Sequence, residues 1–329
     1  MLKNRRVLVT GADGFIGSHL TEALVREGAE VTAFCLYNSN GSIGWLAGID
    51  SDVRSSIDVV LGDIRDARFV EQALEGIEIV FHLAALIAIP YSYSAPSSFV
   101  ETNVNGTLNV LEAARLKGCQ RVVNTSTSEV YGTPETVPIT EDHPLRGQSP
   151  YSATKIAADK LAEAYHSSFD TPVVTLRPFN TYGPRQSARA VIPTMLSQMI
   201  TGSREIHLGN LAPKRDFTYV SDTVVGFILA GAAYGIEGQV IQLGTGSTYS
   251  ILEIFELAKR LTGSDAEIVS DSERFRPEKS EVMVLLSDPT RARELLGWSP
   301  TVSIEDGLSR TAKWVEANLE LFDPSRYHV

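Results

Sequence analysis

Short apolar runs alternate with amphipathic stretches through the first half of the chain. Val7–Thr10, Glu30–Phe34, Val59–Leu61, Ile79–His82, Arg121–Thr125 and Val173–Arg177 are brief and rich in β-branched residues, and read as strands. Between them, Phe15–Glu27, Ala67–Leu74, Phe99–Lys117 and Pro150–Phe169 repeat their apolar positions every three or four residues, the spacing of a helix with one face in the core. Strands that are apolar almost throughout are buried on both faces, and regular strand–helix alternation supplies the helices that bury them. The pattern predicts an α/β fold with a doubly wound parallel sheet.

Beyond Asn180 the alternation loosens. Pro178, Pro184, Pro193 and Pro213 interrupt it, and short strand-like pieces (Ile206–Leu208, Asp216–Val220, Val240–Leu243, Glu267–Val269) mix with helices (Ala190–Ile200, Ser221–Ala233, Ile251–Leu261, Pro289–Leu296, Ile304–Glu320). Residues 1–179 are expected to form the sheet domain, with 223–243 returning to it. Residues 180–222 and 244–329 are expected to form a smaller mixed substrate-binding region, and no Gly/Ser-rich linker separates the two.

Composition narrows the function classes. A net charge of −11 and a pI near 5.1 argue against nucleic acid, whose phosphates need a basic surface. Any anionic ligand must therefore meet a few local arginines. There are two cysteines, Cys35 and Cys119, in no metal-ligand or redox spacing, and both read as small apolar residues; low cysteine use fits a reducing cytoplasm. The six histidines show no ligand spacing, so no metal is expected. No apolar leader pattern stands at the N-terminus and no run is long enough for a membrane span.

Two motifs carry chemistry. Gly11-Ala12-Asp13-Gly14-Phe15-Ile16-Gly17 lies between the first strand and the first helix. In that context Gly11 permits the tight turn, Gly14 lets backbone approach a pyrophosphate, and Gly17 lets helix and strand pack closely; the phosphates then sit at a helix N-terminus. The fold is therefore expected to be Rossmann-like, with a dinucleotide on Gly11, Asp13, Gly14, Phe15, Ile16 and Gly17. The second motif is Tyr151-Ser152-Ala153-Thr154-Lys155, which puts Tyr and Lys on one helix face. An ammonium and an oxidised nicotinamide both favour the phenolate, and such a Tyr can take the proton of a sugar hydroxyl while hydride leaves the same carbon. Thr127, Ser128 and Glu129 follow the strand ending at Thr125, where doubly wound sheets place their ligands. Thr127 is expected on the reacting hydroxyl. Glu129 either removes a proton or merely caps a loop.

With these segments the chain resembles the extended short-chain dehydrogenase/reductase, NAD-dependent epimerase/dehydratase family, along nearly its full length. The resemblance implies adenine contacts from Asp63 and Ile64, nicotinamide and pyrophosphate contacts from Leu83, Ala84 and Ala85, and an Asn103 that braces the active site. It implies further cofactor contacts from Thr125, Tyr151, Lys155 and Pro178. Tyr37 and Asn38 stand where an acidic residue commonly grips the adenosine ribose, so NAD is expected and NADP stays open. His82 is expected to be packed beside the cofactor, not to catalyse.

On the substrate side the resemblance implies that Asn180, Arg189, Arg215 and Arg276 hold a nucleotide diphosphate, and that the subunits pair through helices 99–117 and 150–169 into a homodimer. The triplet Thr127-Ser128-Glu129 is similar to that of GDP-mannose-type 4,6-dehydratases and UDP-glucuronate decarboxylases. Tyr37–Leu46, Gly147–Ser152 and Gly183–Pro193 resemble the nucleotide-sugar 4,6-dehydratases of legionaminic acid biosynthesis, which implies a UDP- or GDP-activated sugar such as N-acetylglucosamine. The alternatives are a 4-epimerase, a decarboxylase, and a non-catalytic nucleotide sensor.

Overall fold

The computed structural model describes residues 1–322. Residues 323–329, the tail of the expected second region, lie outside the described residues. The core is a seven-stranded sheet in which every pair is parallel. Its strands are β1 (Arg6–Thr10), β2 (Glu30–Leu36), β3 (Ile57–Gly62), β4 (Ile79–His82), β5 (Arg121–Thr125), β6 (Val173–Pro178) and the late strand Val240–Leu243. The spatial order runs β3, β2, β1, β4, β5, β6, then Val240–Leu243. The order reverses between β1 and β4, and a crevice opens there at the strands' carboxyl ends. The ends of β1 to β6 each carry a residue expected to contact a ligand or one beside it.

Burial explains the runs. Val7, Leu8 and Val9 are fully buried, as are Val80, Phe81, Val122 and Val123, because helices cover both faces. The helix Phe15–Arg26 packs against Val220–Ala232 on one face, and Ala67–Ala73, Gly106–Lys117 and Pro150–Phe169 cover the other. Two glycines are sterically required. Gly11 has φ +68°, and a Cβ there would lie 2.9 Å from Ala84 Cα. A Cβ on Gly17 would lie 2.0 Å from Gly11 O, so only glycine lets the first helix sit on the turn before it.

Some boundaries differ from the expected ones. The helix expected over Phe99–Lys117 is continuous but not uniform: Val100–Asn105 is a π-turn leading into Gly106–Lys117. The wider turn brings Asn103 inward, and such turns recur at functional sites. The strand expected over Asp216–Val220 is shorter, Phe217–Tyr219, with a separate strand Lys214–Arg215 before it, and Val220 already opens a helix. The break falls at Asp216, whose buried carboxylate accepts from Thr245 N and Oγ1, Gly246 N and Ser287 Oγ. No helix of the described residues is long and apolar enough to cross a membrane.

Candidate active site

The first site element is the glycine turn. Thr10 ends β1, and its Oγ1 accepts from Leu83 N and Ala84 N, both at 3.1 Å. The same oxygen meets His82 Nδ1 at 2.9 Å, and His82 Nε2 meets Thr107 Oγ1 at 3.0 Å. Thr107 donates its own proton to Asn103 O, so His82 Nε2 donates and Nδ1 accepts from Thr10. Burial holds this imidazole neutral, its pKa pushed down to about 3. His82 is thus a packed joint between three elements, as expected. Thr10 is a joint that sequence reading missed; only its place at the strand end could have marked it.

The helix beginning at Phe15 has no side-chain cap at Gly14 and no acid in its first turn. A Cβ on Gly14 would meet only Gly11 O, at 3.3 Å. Backbone donors and the positive end of a helix therefore face a surface that a phosphate can approach closely, which fits the pyrophosphate of a dinucleotide. Thr125 Oγ1, at the end of β5, is buried with no hydrogen-bond partner among the described residues, a further point where a ligand group fits.

Several expected cofactor residues are partly spent on the protein itself. Asn38 Nδ2 donates to Leu36 O and Ser42 O while its Oδ1 accepts from Ser42 N, so this side chain closes its own loop. Tyr37 is exposed. Asp63 takes a bidentate grip from Arg65, which holds its carboxyl below the usual range. Ile64 is buried under Gly106, and its carbonyl accepts from Asn109. Asp13 is pushed up by burial, its Oδ2 accepting from Leu36 N at 3.4 Å. Both cysteines are buried and inert, Cys35 pushed up to about 12 and Cys119 to about 11.

The helix Pro150–Phe169, which bears Tyr151 and Lys155, starts where its sequence says: Ser149 and Ser152 form a reciprocal capping box and Pro150 takes the first position. Asn103 braces it, its Oδ1 accepting from Leu86 N and its Nδ2 donating to Leu86 O and to Thr154 Oγ1. Thr154 in turn donates to Tyr151 O. Tyr151 is buried against Phe99, edge to face, and the Thr127 side chain acts on its phenol to favour the ionised form.

Lys155 donates to Thr125 O at 2.6 Å, and burial pushes its pKa down to about 8. The expected help from this ammonium does not register on Tyr151. Burial raises the phenol well above its usual value, Thr127 opposes that, and the charges of Glu129 and Asp159 add to the rise. The physical reason is that a lysine pushed down to about 8 has lost its charge before a phenol raised above its usual value titrates, which leaves the two carboxylates to act on the phenol.

Glu129 lies on the tight turn Ser128–Tyr131 that follows β5. Its backbone N–H is capped by Thr127 Oγ1 at 3.2 Å. Among the described residues its carboxylate accepts no hydrogen bond; its one close partner is Arg276 Nη1, at 3.7 Å. It is largely buried and acts electrostatically on both Tyr151 and Arg215. Its carboxylate therefore caps no loop and lies among Arg276, Tyr151 and Arg215. Ser128 is buried beside it.

Arg215 is deeply buried, with Nη2 3.2 Å from Glu281 Oε1, and its positive charge is felt alongside that of Arg276. The segment bearing Arg276 is tied down over the site: Ser280 Oγ donates to Gln148 O and meets Tyr93 OH, and Gln148 Nε2 donates to Lys279 O. Asn180 Oδ1 is buried and unpaired among the described residues. Arg189 is exposed in its own loop, its Nε on Ser187 Oγ. Arg185, with φ +68°, is spent on Glu22 Oε2 at 2.9 Å, which latches its loop to the first helix. Pro178 ends β6 opposite Leu243. No group of three or more His, Cys, Asp or Glu residues among those described could hold a metal ion.

The site thus combines a dinucleotide turn, a buried Tyr–Lys pair, a carboxylate, one deeply buried cation, Arg215, and a partly buried one, Arg276. Comparison with known proteins gives the same assembly a family. The model for GDP-mannose 4,6 dehydratase matches residues 8–311. The dTDP-glucose 4,6-dehydratase of Streptomyces griseus is 36% identical over 322 residues, covering 97% of this chain and 96% of its own. The UDP-glucose 4-epimerase of Mycolicibacterium smegmatis is 34% identical over 315 residues, covering 94% of this chain and 98% of its own. The solved dTDP-glucose 4,6-dehydratase of Streptomyces venezuelae, which carries NAD, superposes with a TM-score of 0.87 at 33% identity, over 98% of this chain and all of its own. The chain belongs to the extended short-chain dehydrogenase/reductase family of NAD-dependent nucleotide-sugar epimerases and dehydratases.

Proposed function

We propose that the protein is an NAD-dependent nucleotide-sugar 4,6-dehydratase acting on a UDP- or GDP-activated hexose or hexosamine such as N-acetylglucosamine. The observation that carries this is Glu129, a carboxylate aimed at Tyr151 and Arg276 with no loop to cap. A 4-epimerase needs no base beyond the tyrosine, whereas a dehydratase must remove the C5 proton.

Gly11, Gly14 and Gly17 with the first helix hold the pyrophosphate of NAD, and Thr125, Tyr151 and Lys155 face its nicotinamide end. When bound, NAD stores the hydride from C4 and returns it to C6 within one turnover. Thr127 holds the C4 hydroxyl and Tyr151, whose ionisation against the rise imposed by burial calls for the positive charge of oxidised nicotinamide, takes its proton. The C4 ketone acidifies the adjacent C5–H, and Glu129 accepts that proton. Glu129, with Ser128 beside it, gives the proton to the departing C6 hydroxyl, which leaves as water while the C5–C6 double bond forms. As hydride reaches C6 a proton returns to C5, balancing the one Tyr151 took from O4. Arg215, Arg276 and Asn180 supply the fixed cations and polar group that a diphosphate needs. The helices over 99–117 and 150–169 expose Leu108, Leu116 and Phe169, a face suited to pairing two subunits, and two inert cysteines suit the cytoplasm.

A second reading has a specific support. Arg276 beside Glu129 puts a cation where a C6 carboxylate would sit, which suits decarboxylation of a nucleotide-linked uronic acid once C4 is a ketone. Mass spectrometry of the purified protein with UDP- and GDP-linked N-acetylglucosamine, the parent hexoses and UDP-glucuronate decides. Loss of one water supports the dehydratase. Loss of carbon dioxide, or an unchanged mass with a C4 epimer by NMR, overturns it.

A further inference from the structure

Behind the catalytic pair lies a buried polar cluster that the reaction steps do not use. Asp159 stands one helical turn beyond Lys155, on the same face, and both are buried. Its Oδ2 accepts from Ser126 Oγ at 2.7 Å and from Arg177 Nε and Nη2 at 3.2 and 3.0 Å. Its Oδ1 is buried with no hydrogen-bond partner among the described residues. Arg177 is held from its other side by Tyr131, through a 3.1 Å hydrogen bond to the phenol and a guanidinium 5.1 Å from the ring centre. Tyr131 donates onward to Gln242.

The geometry has two consequences. Lys155 grips Thr125 O and Asp159 grips Ser126 Oγ, so successive turns of one helix clamp successive residues at the end of β5. Those residues lead directly into Thr127, Ser128 and Glu129. The clamp therefore sets the register between the helix bearing Tyr151 and the turn bearing the proposed base. Second, a carboxylate that served packing alone would have both oxygens paired, since a bare buried oxygen is costly. Asp159 instead places a carboxylate inside the protein one helical turn from a buried lysine.

We propose that Asp159, held by Ser126 and Arg177, is a positioning residue for catalysis: it keeps Lys155 protonated and locks the Tyr151–Lys155 helix against the Thr127–Glu129 turn. This rests on the reading of Tyr151 and Lys155 as the catalytic pair, but holds equally for dehydration, epimerisation and decarboxylation. The charged and titratable groups around Lys155 are Tyr151 and Asp159 on its own helix, His82 on β4, held neutral, Glu129 on the turn after β5, and Arg177 on β6. Of these, Asp159 is the one that raises the Lys155 pKa against the effect of burial.

The test needs no sugar. Competitive acetylation of the NAD-loaded protein by acetic anhydride across pH, read at the Lys155 peptide by mass spectrometry, gives the midpoint of its titration. In Asp159→Asn the midpoint falls by about one unit, a tenfold rise in the neutral fraction at a given pH. Ser126→Ala keeps the charge and leaves the midpoint in place. Asp159→Asn/Arg177→Gln removes the ion pair as a unit, guards against a variant that unfolds around an unpaired guanidinium, and lowers the midpoint as well. With a donor that the wild type converts, Asp159→Asn loses at least tenfold in kcat with KM little changed, and Asp159→Glu recovers part of it. An unmoved midpoint in both Asp159 variants overturns the proposal. Failure of the wild type to convert any donor would sink the proposed function and leave the acetylation test standing.

Discussion

Replacing Glu129 by Gln separates chemistry from scaffolding at the carboxylate proposed as the C5 base. The change keeps the shape of the side chain and removes its charge. Its ionic partner, Arg276 Nη1, is 3.7 Å away, where a pair near a protein surface has a gross attraction of about 4 kcal/mol. Much of that offsets the desolvation of two partly buried groups, so the net loss of stability is about 1 kcal/mol or less. A general base contributes about 10²–10⁴-fold, or about 3–5 kcal/mol of barrier. The kinetic effect therefore exceeds the structural one several-fold.

The assay runs the wild type and Glu129→Gln with a converted donor in heavy water. Wild type releases water and carries solvent deuterium at C5. Glu129→Gln keeps its melting transition within a few degrees, slows water loss by about 10²–10⁴-fold, and builds up the near-ultraviolet absorbance of reduced nicotinamide, because C4 oxidation survives and the next step does not. Dehydration at the wild-type rate in this variant would refute the role given to Glu129.

The remaining expectations concern the turn, the cations and the lysine. Gly17→Ala forces a Cβ to 2.0 Å from Gly11 O and should cost about 1–3 kcal/mol or more in a denaturant titration, whereas Gly14→Ala meets only Gly11 O at 3.3 Å and should leave stability nearly intact while weakening NAD binding by equilibrium dialysis. Arg215→Met removes a charge-assisted hydrogen-bond donor and should weaken UDP or GDP binding about ten- to a hundredfold by calorimetry, with the melting transition retained. Burial depresses Lys155 to about 8, below its unfolded value. The folded state then binds fewer protons than the unfolded one between about pH 8 and 10.5, and stability contributed through this group rises across that window. The wild type should accordingly gain stability relative to Lys155→Met between pH 8 and 10.5, and a gap that stays constant would contradict the burial of an ammonium.

Much of the fold was legible because buried parallel strands are apolar throughout. Ile79–His82, Arg121–Thr125, Val240–Leu243 and the helix Pro150–Phe169 stand at the bounds their pattern predicts. The π-turn at Val100–Asn105 was not legible, since its apolar spacing is that of the helix it interrupts. Among the site residues, Gly11, Gly14, Gly17, Tyr151 and Lys155 were readable from local spacing, because each works through a turn or a helix face of its own segment. Asn38 reads as a ligand contact by position alone, yet its amide is consumed by Ser42 and Leu36.

The sequence by itself determined the alternation of elements, the glycine turn and the one-turn spacing of Tyr151, Lys155 and Asp159, since these depend on residues near one another in the chain. Only the tertiary structure decided that Glu129 faces Arg276, that Arg215 meets Glu281, and that Asp159 takes Ser126 and Arg177. These partners are far apart in the chain. Ser126 and Arg177 reach Asp159 because the parallel strands β5 and β6 end on one edge of the sheet, and the arginine pairs arise where the late segments fold back; strand order and packing decide both, and no local pattern encodes them.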